Sequence, residues 1–470
     1  MEKWLALASC LAVALVGLIA WPFTVDDAYI LFDFAESVGS GQGYSRGSGG
    51  WTDGVTSPLW LALLALASSV GIPTEFAAKL LGLGMMGAGV WLFGSRLAAR
   101  ADGLRAGLFY FAVIAPQPFL GIWGVAGLET GFSVLLVAVA CTALDHRPAP
   151  RVSRVGVAIG ALAWLRPECA LLALALLVGV SLARGKESLP AWYFAGFGAL
   201  SLLLCRWLIF GDALPLSWHA KPGDPALGMG YVARGMFLVS GVVGLASVLR
   251  AVLRGGWRER TLGGAFAAHA VGVCLAGGDW MPGARLLVPV IPLYAYLFAL
   301  GLRGRRWRRV GVVYCGLAVA IPCVLMVAEL PKARAAAAVR DRVATPFATW
   351  LGERYERVAL VDVGYLARQG GFEAIDLGGL TDREFAHLPG GHLDKQISGR
   401  SLAAREPEAL VLHSAVRPRL DEEGRITRLA GYPVEMRLAA DPWVRRHFRC
   451  VERIEYHAGY FYAVLERRSD

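Results

Sequence analysis

Apolar runs long enough to cross a bilayer recur from residue 4 to residue 328, and the pattern changes character after residue 330. A crossing needs roughly 20 predominantly apolar residues. On that basis spans are predicted near 4–22, 75–97, 104–120, 127–144, 152–165, 168–184, 190–210, 231–253, 261–276, 284–302 and 309–328. One further apolar run, 58–71, is too short for a crossing and reads as an interfacial or re-entrant segment. Beyond residue 330, short apolar runs alternate with polar connectors. Residues 358–363, 409–412 and 460–466 are expected to be buried strands, and 346–355 an amphipathic helix. The expected fold is therefore a polytopic α-helical membrane domain over 1–330, with a first outer loop at 23–74, followed by a C-terminal α/β domain over 331–470.

Composition agrees with a membrane protein. Of the 470 residues, 56% are hydrophobic and 18% charged, where a soluble domain carries about a quarter charged residues. The net charge of +10 raises the question of nucleic acid, and its distribution argues against it. The basic residues cluster in short loops between apolar runs instead of along one soluble face. Lys3; Arg96, Arg100 and Arg105; Arg147, Arg151 and Arg154; Arg184 and Lys186; Arg250, Arg254, Arg258 and Arg260; and Arg303, Arg305, Arg306, Arg308 and Arg309 all fall on one side if 58–71 does not cross. The other side then holds scattered cations such as Arg46, Arg166, Lys221 and Arg285. Were 58–71 a crossing, every later cluster would flip outward, against the positive-inside rule. The preferred topology has about eleven spans in the inner (cytoplasmic) membrane, with the N-terminus cytoplasmic and the C-terminal domain extracytoplasmic.

Two features exclude other readings. The first apolar run continues past Cys10 to Trp21 without a cleavage site, so it reads as a retained span and not a signal peptide. Among the eight cysteines only Cys450 lies in the C-terminal segment, so no disulfide can form within that domain.

With this topology the polar, sequence-distinctive loops share the extracytoplasmic face. They are Asp26-Asp27-Ala28-Tyr29-Ile30; Gly127-Leu128-Glu129-Thr130; Arg166-Pro167-Glu168; the 211–221 loop with Asp212, His219 and Lys221; and the 277–285 loop with Asp279 and Arg285. Together with Gly54-Val55-Thr56-Ser57-Pro58-Leu59-Trp60 and Asp376-Leu377-Gly378-Gly379-Leu380-Thr381-Asp382, they resemble, in order, landmarks of GT-C glycosyltransferases. The nearest subgroup is that of the mycobacterial terminal β-(1→2)-arabinofuranosyltransferase. The chain departs from that pattern at Pro215-Leu216-Ser217-Trp218-His219 and across 281–286, which leaves the sugar open. The resemblance implies a GT-C membrane fold with catalytic residues in the first outer loop. Its partners would be a polyprenyl-phosphate sugar donor, a glycan, lipid or protein acceptor outside the membrane, and the bilayer itself, with no nucleic acid.

The residues themselves meet that chemistry. An attacking hydroxyl must lose a proton, so a carboxylate within reach is required, and Asp26 and Asp27 are the candidates; the alternative is that one of them caps the helix starting near Ala28. Repulsion between the neighbouring carboxylates would suit one of them to act as base. The departing phosphate calls for fixed cations, and Arg166, Lys221 and Arg285 are candidates, against snorkelling to the headgroups. Tyr29, Glu129, Glu168, His219 and Asp279 are the remaining expected substrate contacts, with helix capping the alternative for Glu168. No obligatory metal is expected, although paired aspartates could hold Mg²⁺ or Ca²⁺. The rival functions are a transporter or flippase and a ligase using a diphosphate-linked donor; the transporter reading lacks the two related halves that fold would carry.

Overall fold

The computed structural model describes residues 3–45, 51–100, 102–144, 151–281, 283–303 and 307–468, which leaves Arg46, Arg147, Arg305 and Arg306 outside the described residues. The N-terminal two thirds are helical. Among the described residues three helical stretches, Thr74–Ala98, Pro167–Phe210 and Gly311–Gly352, are long and apolar enough to cross a membrane, and the count rises to five if two bent helix pairs are each one span. Shorter apolar helices, among them Lys3–Ile19, Thr130–Leu144 and Val152–Ala163, complete the bundle. The expected 104–120 span is one of the bent pairs, Gly103–Ile114 and Pro118–Val125 meeting at 63°.

Four helices from the first third position the candidate site: α1 (Lys3–Ile19), α2 (Asp26–Gly39), α3 (Pro58–Ser69) and α4 (Thr74–Ala98). The α3 helix occupies the run judged too short to cross. Pro58 opens it at the first helical position, where no amide donor is needed, and it buries Trp60, Leu61, Leu64 and Ala65. Helix α4 packs backbone to backbone on Thr130–Leu144. A Cβ on Gly131 would lie 2.0 Å from the Gly82 carbonyl oxygen, so the approach depends on two glycines.

The stretch Pro167–Phe210 covers 44 residues, more than twice what a crossing needs. Its two ends lie on the same face. Pro167 follows Arg166, which is paired to Glu129, while the Phe210 carbonyl accepts a hydrogen bond from Arg383 of the C-terminal domain. The chain therefore doubles back in between, at the Gly185–Ser188 turn, where Gly185 takes φ 53°. This separates 170–184 from 189–210, matching the two predicted segments.

Gly311–Gly352 runs without interruption across residue 330 into the C-terminal domain. Near its end, Arg340–Ala344 forms a π turn, leading into Thr345–Gly352. The C-terminal sheet has the order β2-β1-β3-β7-β6, built from β1 (Arg357–Leu360), β2 (Glu373–Asp376), β3 (Ala409–Ser414), β6 (Phe448–His457) and β7 (Tyr460–Arg467). A separate ribbon is made by β4 (Arg419–Leu420) and β5 (Ile426–Arg428). Strands β2, β1 and β3 are parallel, while β7 and β6 complete the sheet antiparallel.

Alternation along the strands covers both faces of the sheet. Val358, Leu360, Ala409, Val411 and Val464 join the core that continues into the membrane domain with Phe347 and Leu351. Ala359, Leu410, Leu412, Ala463 and Leu465 pack the opposite face with Phe385, Leu402, Val434 and Leu438.

Candidate active site

Asp26 and Asp27 form the first turn of α2, where the positive end of the helix dipole favours carboxylates. The turn is held by the Val25 amide, which donates to the Ala126 carbonyl at 3.2 Å. Neither aspartate caps the helix: its N-cap is Val25, without a side-chain cap. Their roles divide. The Asp26 carboxylate accepts the amide hydrogens of Tyr365 at 2.8 Å and Gly364 at 3.2 Å, in the C-terminal domain. The fit is close enough that a Cβ on Gly364 would come within 2.3 Å of the Asp26 backbone oxygen. Asp27 is half-buried, and its carboxylate has no hydrogen-bond or ion-pair partner among the described residues.

Farther along α2, Arg368 donates to Asp33 at 2.6 Å and to Glu36 at 2.7 Å, fastening the helix to the C-terminal domain a second time. Tyr29 is buried. Its hydroxyl accepts from Arg340 at 2.8 Å and its ring lies 4.9 Å from that of Tyr365. Burial pushes the Tyr29 hydroxyl up to about 12, so it stays a neutral member of this junction. Arg340 begins the π turn, a distortion that often marks functional positions.

Glu129, Arg166 and Glu168 form a buried triad. Arg166 lies 2.7 Å from Glu129 and 2.9 Å from Glu168, with side-chain exposures of 4%, 6% and 9% in that order. Ser57 donates to the second Glu129 oxygen at 3.2 Å, and Trp60 donates to the Gly127 carbonyl at 3.1 Å. Gly127, at φ 95°, closes the loop over α2, since a Cβ there would meet Ala28 and Phe32. The triad thus ties three of the motif loops together, with both carboxylates directed at Arg166.

The 277–285 loop, apart from Pro282, which lies outside the described residues, brings up Asp279 and Arg285, 2.8 Å apart. The Arg285 guanidinium lies 5.8 Å from the Trp123 ring, and Trp123 meets Phe23 edge-on at 6.4 Å, so this loop reaches the start of α2. Burial alone would raise Asp279, but Arg285 and then Lys221 hold it below the usual carboxylate range. The Lys221 ammonium itself has no hydrogen-bond or ion-pair partner among the described residues. Burial, followed by the nearby Lys221 charge, pushes His392 of the C-terminal domain down to about 3.

His219 turns to a different group. Its Nε2 is 2.9 Å from Asp212, and its ring stacks on His387 at 4.4 Å. The Asp212, His219 and His387 ligand atoms lie within 4.8 Å of one another, a donor set suited to a transition metal.

A polar cleft of about 1560 Å³ separates the far end of α2 from the C-terminal domain and is lined by Asp33, Glu36, Arg368, Arg383 and Arg405. Its arginines are engaged: Arg368 with Asp33 and Glu36, Arg405 with Asp382 and Glu384, Arg383 with the Phe210 carbonyl, and Arg357, also on its lining, with Glu406.

The structure brings Asp26 and Tyr29 against residues from far along the chain, joins Glu129, Arg166 and Glu168 in one group and Asp279 with Arg285 in another, and leaves His219 on Asp212. Sequence reasoning missed Gly364, Tyr365, Arg368 and Arg340, which meet α2 from the C-terminal part of the chain. The only local signal for them was the change of pattern after residue 330.

A family model described as a domain of unknown function (DUF8728) matches residues 333–464. No curated protein sequence matches the chain. Two solved structures of ArnT from Cupriavidus metallidurans share the fold. One, bound to undecaprenyl phosphate, is 15% identical with a TM-score of 0.50, covering 78% of this chain and 74% of that one. The other, in the apo state, is 13% identical with a TM-score of 0.53, covering 79% and 85%. At such identity the likeness establishes an ArnT-like fold.

Proposed function

We propose that the chain is an integral-membrane glycosyltransferase that takes a sugar from a polyprenyl-phosphate donor and passes it to an acceptor hydroxyl outside the cytoplasmic membrane, with Asp27 as general base. The observation that carries the reading is the division of labour in the first turn of α2: Asp26 is spent on the Gly364 and Tyr365 amides, while Asp27 beside it has no partner among the described residues. A buried or half-buried carboxylate normally has a partner, and a missing partner in a motif loop suits a group whose partner is substrate. The shared fold with a structure bound to undecaprenyl phosphate supports a lipid-phosphate carrier.

The chemistry runs as an inverting displacement. The acceptor oxygen forms a bond to the anomeric carbon as its proton passes to Asp27, and the bond from that carbon to the donor phosphate oxygen breaks. The phosphodiester donor leaves as a phosphate monoester, so one negative charge develops there. Lys221, which has no partner among the described residues, meets it, with Arg285 beside it on Asp279. The sugar is arabinofuranose or another pentose or hexose, and the acceptor belongs to a cell-envelope glycan, lipid or protein.

The test is transfer of radiolabelled sugar from polyprenyl-phosphate donors in membranes containing equal amounts of each variant. Asp27→Asn is expected to lose at least about a hundredfold in turnover. Asp26→Asn is expected to keep measurable transfer and to melt earlier. Full transfer by Asp27→Asn, or no transfer by wild type from any such donor, would refute the proposal.

A further inference from the structure

The C-terminal sheet presents one edge to α2, the end of its strands that carries the Gly364 and Tyr365 contacts with Asp26. Strands β1 and β3 are parallel neighbours, so their carboxyl ends share it. The antiparallel β7 begins there, and β6 ends there. The chain leaves β1 for the Tyr365–Gly370 helix and β2 on one side, whereas the neighbour of β3 on the other side is β7. Connections therefore diverge between β1 and β3, and open α/β sheets bind ligands at such a point, outside the carboxyl ends of the strands.

What stands there is Asp362 among aromatic rings, with the buried Glu435 behind His413 and Tyr432. Asp362, just past β1, accepts the hydroxyl hydrogens of Tyr460 at 3.0 Å and Tyr462 at 2.5 Å. The His413 ring lies 4.1 Å from Tyr460 and 4.7 Å from Tyr432. Tyr456 is 5.7 Å from Tyr460, which stacks with His457 at 5.0 Å. Tyr462 is buried, Tyr432, Tyr456 and Tyr460 are half-buried, and His457 is exposed. The same edge docks on the reaction centre proposed above, because Gly364 and Tyr365, two and three residues after Asp362, hold Asp26. Burial and then the Asp26 and Asp362 charges push the Tyr456 hydroxyl up to about 12, which places Tyr456 in electrostatic reach of both carboxylates.

The chemistry selects a ligand class. Half-exposed rings offer flat faces to C–H groups, and phenol, imidazole and carboxylate groups offer hydrogen bonds along the same surface. An anion would meet the Asp362 and Asp26 charges, while Arg340, the cation in reach of Tyr456, is already engaged by Tyr29 and Asp341. A purely aliphatic chain would leave the polar groups unmatched. A neutral sugar, with one C–H face and a rim of hydroxyls, matches both.

We propose that this edge is the acceptor subsite, binding a neutral glycan with Tyr456 and Tyr460 against a sugar face and Asp362 accepting its hydroxyls. The proposal rests on the glycosyltransferase reading for the word acceptor, but its binding test does not. Tyr456→Ala is the clean variant, because the Tyr456 side chain makes ring contacts and no described hydrogen bond.

Full-length protein in nanodiscs would be titrated with neutral arabino-, manno- and galacto-oligosaccharides by saturation-transfer NMR, alongside melting curves. At least one series is expected to bind wild type and to weaken about tenfold in Tyr456→Ala, with Tyr456→Phe retaining binding and neither variant shifting the melting midpoint. In transfer assays the acceptor KM should rise in Tyr456→Ala while the donor KM stays. No binding of any series to wild type, or equal binding to Tyr456→Ala, would overturn the subsite even if transfer were observed. Tyr456-dependent binding without transfer from any donor would uphold the subsite and overturn the glycosyltransferase reading.

Discussion

Two cations of the motif loops make opposite predictions. Arg166 lies between Glu129 and Glu168 at 2.7 and 2.9 Å, with 4% of its side chain exposed. Lys221 has no described partner. Removing one member of a buried ion pair leaves its partner charged and dry, at a cost of roughly 3–5 kcal/mol. Arg166→Met strands two carboxylates, which puts it at the upper end. A loss of that size should lower the melting midpoint by at least about 5 °C. Arg166→Lys keeps the charge without the planar fork that reaches both carboxylates, so it should fall in between. Lys221→Met strands nothing, and its midpoint should stay within about 2 °C of wild type. Its defect should instead be in donor binding. Losing one charged hydrogen bond to phosphate, about 1.5–3 kcal/mol, raises the donor KM roughly 10- to 150-fold. The assay pairs chromatographic thermostability in detergent with transfer at varied donor concentration. A wild-type midpoint with raised donor KM in Arg166→Met would show that Arg166 binds phosphate and refute the assignment.

Other perturbations test separate parts of the structure. Gly364→Ala forces a methyl group against the Asp26 backbone oxygen, 2.3 Å from an ideal Cβ, and should cost about 1–3 kcal/mol; unchanged proteolysis at the α2 junction would contradict it. Burial pushes Glu435 up to about 8, against the amide hydrogens of His413 and Tyr432 and with the Asp362 charge adding to the rise. The folded state therefore holds a proton that the unfolded chain has released, so stability falls by about 1.4 kcal/mol per unit as pH rises from about 4.5 to 8. Glu435→Gln should flatten that slope in melting curves across the window, and an unchanged slope would refute it. Chelation should leave transfer unchanged despite the Asp212, His219 and His387 group; loss restored by a single divalent ion would place a metal in the reaction.

How far these features were legible from the pattern alone follows from burial. Strands β1, β3 and β7 lie in the middle of the sheet and are buried on both faces, so they read as continuous apolar runs. The edge strands did not. Strand β2 is the four-residue Glu373–Asp376, and β6 carries Arg449, Glu452, Arg453 and Glu455 along its length, as edges that resist pairing with other chains tend to. In the site, the loops were visible because polar motifs interrupt apolar runs. Their pairings were not, since Asp26 finds its amide donor 338 residues away. No local spacing encodes that partnership, nor the pairing of Arg166 with Glu129.

The adjacent aspartates become intelligible from helix geometry. Successive residues on a helix point about 100° apart, so two carboxylates at neighbouring positions cannot face the same surroundings. Asp26 faces the C-terminal domain and meets the Gly364 and Tyr365 amides. Asp27 is thereby aimed elsewhere, on a turn that cannot shift: the Val25 amide is bonded to Ala126 on one side, and Arg368 grips Asp33 and Glu36 farther along. Rigid placement matters for a base, because a misplacement of about 1 Å can cost a hundredfold in rate. The pair is then one device, in which the committed carboxylate fixes the direction of the free one. On the proposed reading, loss of Asp26 should appear in turnover as a displaced base, and loss of Asp27 as a missing one.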